Sequence, residues 1–187
     1  FVYNGPVSPK TYSSEGIVLA RKNYSEADRI LSIFTKDYGR ISVLAKSVRK
    51  LESRKRGFLE VFNHVRFHAA RGKSIDLIIE VETIESFAAI RKNLKRVSLA
   101  FYFMEVIGRT TYENEPNKEL FSLALEYLER MKEEENLKNL RLDFVVRLLS
   151  LLGFWPKGKQ LFDPDKKLRE VIERDLSSIR VGKKILS

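Results

Sequence analysis

No cysteine occurs among the 187 residues. That excludes disulfides, thiolate zinc sites and cysteine nucleophiles, and it fits the reducing cytoplasm. No apolar run approaches the ~20 residues that a membrane-spanning helix needs. The chain does not open on a charged segment followed by a long apolar stretch, so no secretory signal is expected. Histidine is scarce, with two residues. The phosphate-cradling run G-x-x-x-x-G-K-[ST] and the dinucleotide run G-x-G-x-x-G are both missing, which speaks against a nucleotide-hydrolysing engine. No Ser-His-Asp set is indicated. These absences predict a cytoplasmic protein with no cofactor, no bound metal and no catalytic centre.

Positive charge is abundant. Lys and Arg number 35 against 25 Asp and Glu, a net charge of +10. Residues 1–100 hold 19 cations and 10 acids, whereas 101–187 hold 16 and 15. One half is therefore a candidate polyanion binder and the other is balanced, which suggests two modules with different partners. The densest stretch is KSVRKLESRKR, residues 46–56, with six cations (Lys46, Arg49, Lys50, Arg54, Lys55, Arg56) and one acid, Glu52.

The pattern along the chain separates the same two halves. Residues 1–11 carry two prolines and a glycine and read as an irregular arm or a cloning remnant. Glu15–Leu19, Arg29–Thr35 and Arg40–Ala45 read as strands, with Lys36–Gly39 as a hairpin turn. Phe58–Val61 and Asn63–Ala69 suggest a fourth strand, with Val65 and Phe67 on one face and His64, Arg66 and His68 on the other. Ile75–Ser86 is a fifth, with Ile79, Val81 and Thr83 sharing a face. Five strands with no long helix predict a small barrel or a strongly curved sheet over 12–87. Five-stranded barrels that bind oligonucleotides are typically OB folds. From Ala88 the period becomes helical, and 88–187 reads as an all-helical domain. Its helices are centred on Val97–Ile107, Leu120–Leu128, Leu137–Leu152 (with Leu142, Val145, Val146, Leu148, Leu149 and Leu152 inward) and Pro164–Leu176. The fold class is α+β: a five-stranded OB-type barrel, then helices.

A charge run is ordinarily a solvated surface. Here it lies between strands, and further cations sit on strand ends and turns of the same module. A cationic groove on a barrel suits single-stranded nucleic acid, often with aromatic rings as stacking platforms. The DNA-binding candidates are therefore Lys46, Arg49, Lys50, Arg54, Lys55, Arg56, Arg21, Lys22, Arg40, Arg71 and Lys73, with Tyr38 at a turn tip as the leading platform. Tyr24, Phe58, Phe62 and Phe67 are also considered as platforms, although most are expected in the core. His64 and His68 read as surface or DNA-facing residues. Asp76, Glu80 and Glu82 would be the acids of a metal-dependent nuclease; a solvated strand face is the plainer reading. In the helical half, Phe154-Trp155 beside Pro156 stands at a helix end, where aromatics can line a groove. An RNA-binding OB protein is the alternative to a DNA binder.

Several blocks resemble the RecO family of bacterial recombination mediators: Glu15–Leu19; Tyr24-Ser25-Glu26-Ala27-Asp28-Arg29-Ile30-Leu31; Phe34-Thr35; Gly39; Ala45-Lys46; Gly72-Lys73-Ser74; Glu85-Ser86-Phe87; and, more weakly, Leu148–Gly153 and Gly182–Ser187. The resemblance implies an N-terminal OB fold and a C-terminal helical domain. It also implies binding of single- and double-stranded DNA, annealing of complementary strands, and loading of RecA with the partner RecR. The helical domain would take the acidic, apolar C-terminal tail of single-stranded DNA-binding protein, and Arg141, Arg147, Lys157 and Lys159 are candidate cations for it. Localisation would be cytoplasmic, with the nucleoid. Many members carry a four-cysteine zinc module after the Leu-Leu-Gly segment; residues 154–163 occupy that place here, so no zinc is expected. Where the family often has Lys-Gly before the basic loop, this chain has Lys46-Ser47.

Overall fold

The structure is a computed structural model and describes residues 10–50, 53, 55 and 57–173. These form two compact units. One runs to Ser86 and takes in Tyr112–Pro116. The other comprises Phe87–Thr111 and the residues from Asn117 on.

The first unit is a closed five-stranded barrel in the order β1-β2-β3-β5-β4, which is the OB-fold order. Its strands are β1 (Thr11–Tyr24), β2 (Asp28–Thr35), β3 (Gly39–Ala45), β4 (His64–Ala70) and β5 (Asp76–Glu85). β1 begins at Thr11, inside the stretch expected to be an arm, and Tyr12 is buried. The expected hairpin is present, with Thr35 paired to Gly39 and Arg29 to Ala45. β1 pairs with β4 through its first half and with β2 through its second. Closure depends on two parallel pairs, Val43 with Asp76 and Leu44 with Leu77. Inward residues alternate along each strand, as a half-buried strand requires. Val18, Leu31, Ile33, Val43, Val65, Phe67, Ala69 and Ile78 fill the interior.

Two details depart from simple alternation. Residues 57–59 form a turn rather than strand, and Phe62 takes a left-handed φ of 60°. The Asn63 side-chain amide donates to the carbonyls of Gly57 and Phe58, at 3.0 and 2.9 Å, and holds that turn closed. β4 therefore starts at His64. Second, the β4–β5 register slips between His68 and Ala69 and again between His64 and Val65. Ile79 and Ile84 are the extra residues, and each bulge turns its side chain out to solvent. Both are exposed whereas Val81 packs against the core, so Ile79 does not share the face of Val81 that simple alternation assigns it.

The segment Tyr112–Pro116 lies against the start of β3. Glu113 bridges to Arg40, and the Asn114 N–H donates to the Arg40 carbonyl at 3.0 Å. Gly39 makes this approach possible. Its φ is +70°, and a Cβ there would overlap the backbone of Glu115.

The second unit is helical: α1 (Ala88–Arg91), α2 (Leu94–Thr110), α3 (Lys118–Arg130) and α4 (Leu137–Leu151), with residues 164–173 helical as well. The expected continuation to Leu176 and the segment Gly182–Ser187 lie outside the described residues. Asn93, Asn117 and Asn136 each precede a long helix and accept backbone N–H groups of its first turn, which supplies partners to otherwise orphaned donors. The core centres on stacked Phe103 and Phe144, with ring centroids 4.0 Å apart and Tyr127 edge-on to both. On α4 the fully buried residues are Leu140, Phe144, Val145, Leu148 and Leu149. Leu142, Val146 and Leu152, expected inward, are half-buried. Among the described residues no helix is long and apolar enough to cross a membrane.

His64, expected at the surface, is buried with 8% exposure at the start of β4. Its Nε2 lies 3.7 Å from a Glu15 carboxylate oxygen. Burial pushes its pKa below the ordinary 6.5, aided by the charges of Arg66 and Lys36 and opposed by Glu15. The unfolded chain then takes up this proton more readily than the folded one. Stability from this group is complete above about pH 6.5 and is lost as pH falls toward the folded-state pKa.

Two outcomes are expected. Gly39→Ala should lower stability by more than about 1 kcal/mol, read as a lower urea midpoint, and should open 112–116 to proteolysis; an unchanged midpoint would contradict the close approach. His64→Gln should flatten the fall in unfolding free energy below about pH 6.5, measured by denaturant titration at several pH values. The same slope in variant and parent would remove His64 as its source.

Candidate nucleic-acid interface

The connection from β3 to β4 spans residues 46–63, and its first part is bound to the turn between β1 and β2. The Ser47 N–H donates to Asp28 Oδ1 at 2.7 Å. The Arg49 N–H donates to the Ala27 carbonyl at 2.9 Å, and its guanidinium to the Ser25 carbonyl at 3.2 Å. Val48 between them is wholly buried. An apolar anchor and two backbone N–H bonds thus fix the backbone while Lys46, Arg49 and Lys50 remain exposed. Lys22, near the end of β1, is exposed too. Tyr24, the last residue of β1, is 53% exposed. Tyr24 and these cations stand at the same end of the barrel, where Tyr24 pairs with Asp28 and Asp28 receives the Ser47 N–H.

The remaining candidates divide. Arg54 and Arg56 lie outside the described residues. Lys55 is half-buried and its ammonium donates to the Ile79 carbonyl at 2.5 Å. Arg21 is ion-paired with Glu60, which also lies 3.6 Å from Arg29. Arg40 is half-buried and 3.6 Å from Glu113. Arg66 reaches Glu15 and Glu82 at 3.0 and 2.8 Å, and these carboxylates raise its pKa further. Thr11 pairs with Ala70 at the opening of β1, whereas Tyr24 pairs with Asp28 at its close. Arg71 and Lys73 therefore stand at the opposite end of β1 from Lys22 and the basic connection. The guanidinium of Arg71 lies 4.9 Å from the Tyr12 ring centroid; Lys73 is exposed.

Tyr38 is not a free turn-tip ring. It is half-buried and packs edge-on against Tyr12, with centroids 4.8 Å apart, as part of the barrel's apolar cluster. Phe62 and Phe67 are buried, and Phe58 is 37% exposed. The ring that joins the cations is Tyr24. Its signal in the sequence is its place within Tyr24–Leu31, just ahead of a tight turn; what the sequence hides is the contact of that turn with residues 47–49.

Two of the acids of β5 have partners within the barrel. Asp76 accepts from the Tyr12 hydroxyl at 2.8 Å and from the Gly72 N–H at 3.0 Å. Burial and this carboxylate push the Tyr12 pKa up. Glu82 is paired with Arg66. Among the described residues no group of three or more His, Asp or Glu is placed to hold a metal ion.

In the helical unit, Arg141 makes a two-pronged ion pair with Asp165, one contact being 2.9 Å. Arg147 pairs with Glu126 and lines a shallow groove along α3 and α4 with Lys118, Leu123 and Leu151. Lys157 and Lys159 are exposed on the loop after α4.

Residues 10–87 match the family described as Recombination protein O N terminal, and residues 91–162 match Recombination protein O C terminal. A DNA repair protein RecO of Pelotomaculum thermopropionicum is 35% identical over 147 residues, covering 79% of this chain and 57% of the relative. One of Dehalococcoides mccartyi is 34% identical over 160 residues, covering 86% and 63%. One of Rubrobacter xylanophilus is 36% identical over 147 residues, covering 78% and 59%. The chain spans about three-fifths of the length of these curated relatives. With its barrel matched by the N-terminal description and its helices by the C-terminal one, the chain belongs to the recombination protein O family.

Proposed function

We propose that this chain is a DNA-binding mediator of recombinational repair that works without covalent chemistry. Lys22, Lys46, Arg49 and Lys50 neutralise phosphates, with Arg54 and Arg56 of the same run contributing. Tyr24 stacks on a base beside them. Two strands so neutralised repel each other less, and complementary strands meet and pair. With RecR, the protein then helps RecA onto strands coated by single-stranded DNA-binding protein. The observation that carries this reading is the docking of the cationic connection on the turn that bears Tyr24. Fixed cations beside an exposed ring are the two elements of sequence-tolerant single-strand binding. The remaining candidates, Lys55, Arg21, Arg40, Arg71 and Lys73, have secondary parts: three are held by protein partners, Arg71 lies over Tyr12, and Lys73 stands with Arg71 at the other end of β1.

The groove of Lys118, Leu123, Arg147 and Leu151 supports a contact with the acidic, apolar tail of single-stranded DNA-binding protein. Two cations flank leucines there, beside Glu119 and Glu126, and a tail carrying carboxylates and an apolar end would meet the cations and leucines once it displaced those acids. Arg141 and Arg147 are both already paired, with Asp165 and Glu126, so a tail carboxylate binding at either would displace an acid of the protein.

Replacing Lys46, Arg49 and Lys50 together by Ala should weaken binding to every single strand alike. The log–log salt slope should become shallower by about 2, at roughly 0.7 per lost contact. Adding Tyr24→Ala should weaken binding by a further ~1–3 kcal/mol. Fluorescence anisotropy at several salt concentrations reads both. An unchanged slope would place the phosphate contacts elsewhere, and tighter binding of a matched RNA strand would favour RNA as the ligand.

Annealing separates the two contacts. The parent should anneal complementary labelled strands whether bare or coated with single-stranded DNA-binding protein. Arg147→Glu should anneal bare strands normally and coated strands slowly. Equal rates on both would dismiss the groove as the tail site.

A further inference from the structure

The loop that follows α4 is built to present two aromatic rings and two cations. α4 closes with paired reverse hydrogen bonds: the Phe154 N–H donates to the Leu149 carbonyl at 2.9 Å and the Gly153 N–H to the Ser150 carbonyl at 3.2 Å. This is the arrangement that ends a helix and redirects the chain. A tight turn follows over Pro156–Lys159, with the Lys159 N–H 3.3 Å from the Pro156 carbonyl and Gly158 at φ +79° in its third position. A turn of that kind requires a positive φ there, which glycine adopts without strain. The Trp155 indole N–H donates to the Lys159 carbonyl at 3.0 Å and cross-braces the turn. At the far end Asp163 accepts from the Lys166 N–H at 2.9 Å and opens the next helical stretch. The backbone of 153–163 is therefore held at both ends and in the middle.

Trp155 and Leu161 of this braced loop are half-buried, whereas Phe154, Lys157, Lys159 and Phe162 are exposed. Phe162 is 90% exposed and Phe154 40%. Lys157 and Lys159 are exposed and make no ion pair with any described residue. They are the only charges between Gly153 and Phe162. A single exposed phenylalanine is ordinary on a protein surface. Two within nine residues, together with two unneutralised lysines on a pre-shaped loop, form a ligand-facing arrangement. An acidic, apolar peptide would suit the lysines, but its apolar groups would meet rings that are open to water rather than an enclosing groove. A single strand suits both groups, since its bases have flat faces and its phosphates are regularly spaced.

We propose that loop 154–162 is a second contact for single-stranded DNA, with bases stacking on Phe162 and Phe154 and phosphates meeting Lys157 and Lys159. It rests on the DNA-binding reading above and adds a site in the helical unit.

The test compares five forms of the full chain: parent, Phe162→Ala, Phe162→Trp, Lys157→Ala with Lys159→Ala, and Lys46, Arg49 and Lys50 all replaced by Ala. Each is titrated with a fluorescein-labelled oligothymidylate and with an abasic oligomer of the same length, which keeps the phosphates and lacks the bases. Phe162→Ala should lose about tenfold affinity for oligothymidylate and none for the abasic oligomer. The lysine pair should weaken both ligands and reduce the salt slope by about 1.4. Phe162→Trp should restore binding, which separates stacking from damage to the fold. If both loop variants bind like the parent while the barrel variant is weakened, the loop proposal fails and the DNA-binding reading stands. If the parent binds neither oligomer, both fail.

Discussion

The barrel closes between two strands that run in the same direction, and much of the molecule follows from that constraint. β3 and β5 meet in only two parallel pairs. Parallel neighbours cannot be joined by a tight hairpin, so the chain leaving β3 must cross the barrel's end, pass β5 and enter β4 on its far side. That crossing is the 46–63 connection, which carries the densest positive charge in the sequence. A crossing segment without ladder partners needs other anchors for its backbone. Val48 in the core, Asp28 receiving Ser47, and Asn63 closing the turn at 57–58 supply them. The topology thus places a cationic segment at a barrel end, and local bonds hold its backbone there.

Charge density alone does not decide which cations meet a ligand. Arg21 and Arg29 share Glu60, Arg40 has Glu113, and Arg66 has Glu15 and Glu82. Surface pairs of this sort contribute little to stability. Their larger effect is to lower the local potential at the positions they occupy. Lys22, Lys46 and Lys50 have no such partner among the described residues, and they lie at the end of the barrel where Tyr24 is exposed. The local field is set by the pairing pattern as much as by composition.

Much of the architecture was legible in the sequence because it depends on periodicity and turns. The β2–β3 hairpin reads directly from Lys36–Gly39, and the change to helical spacing falls at Ala88, where α1 begins. What escaped depends on contacts between distant residues. Ile79 alternates in step with Val81 until a bulge displaces it, and a bulge reveals itself only against its partner strand. Tyr38 looks like a turn-tip ring, but Tyr12, 26 positions earlier in the sequence, covers it. His64 follows a surface-like alternation, yet it begins its strand beside Glu15 and is buried. Of the expected interface, the basic run was visible as composition; its docking on the β1–β2 turn, and with it the prominence of Tyr24, was not.

As proposed DNA contacts, the connection and the loop after α4 would solve one problem in the same way. A long cationic side chain loses rotamer freedom when it grips a phosphate, and a mobile backbone would add the cost of ordering the chain. Bracing the backbone beforehand removes the second cost and leaves only the first. Residues 46–49 are braced by Val48 and two backbone N–H bonds, and residues 154–162 by the Trp155 indole and the turn at Gly158. Each contact then remains individually weak, since an exposed lysine gains little from one phosphate in water. For the proposed mediator weakness is an asset. A strand held by many small, sequence-blind contacts is neutralised enough to approach its complement, yet it can be released one phosphate at a time once base pairing begins. Tight, base-specific grips would hold the strand against its partner and slow that exchange.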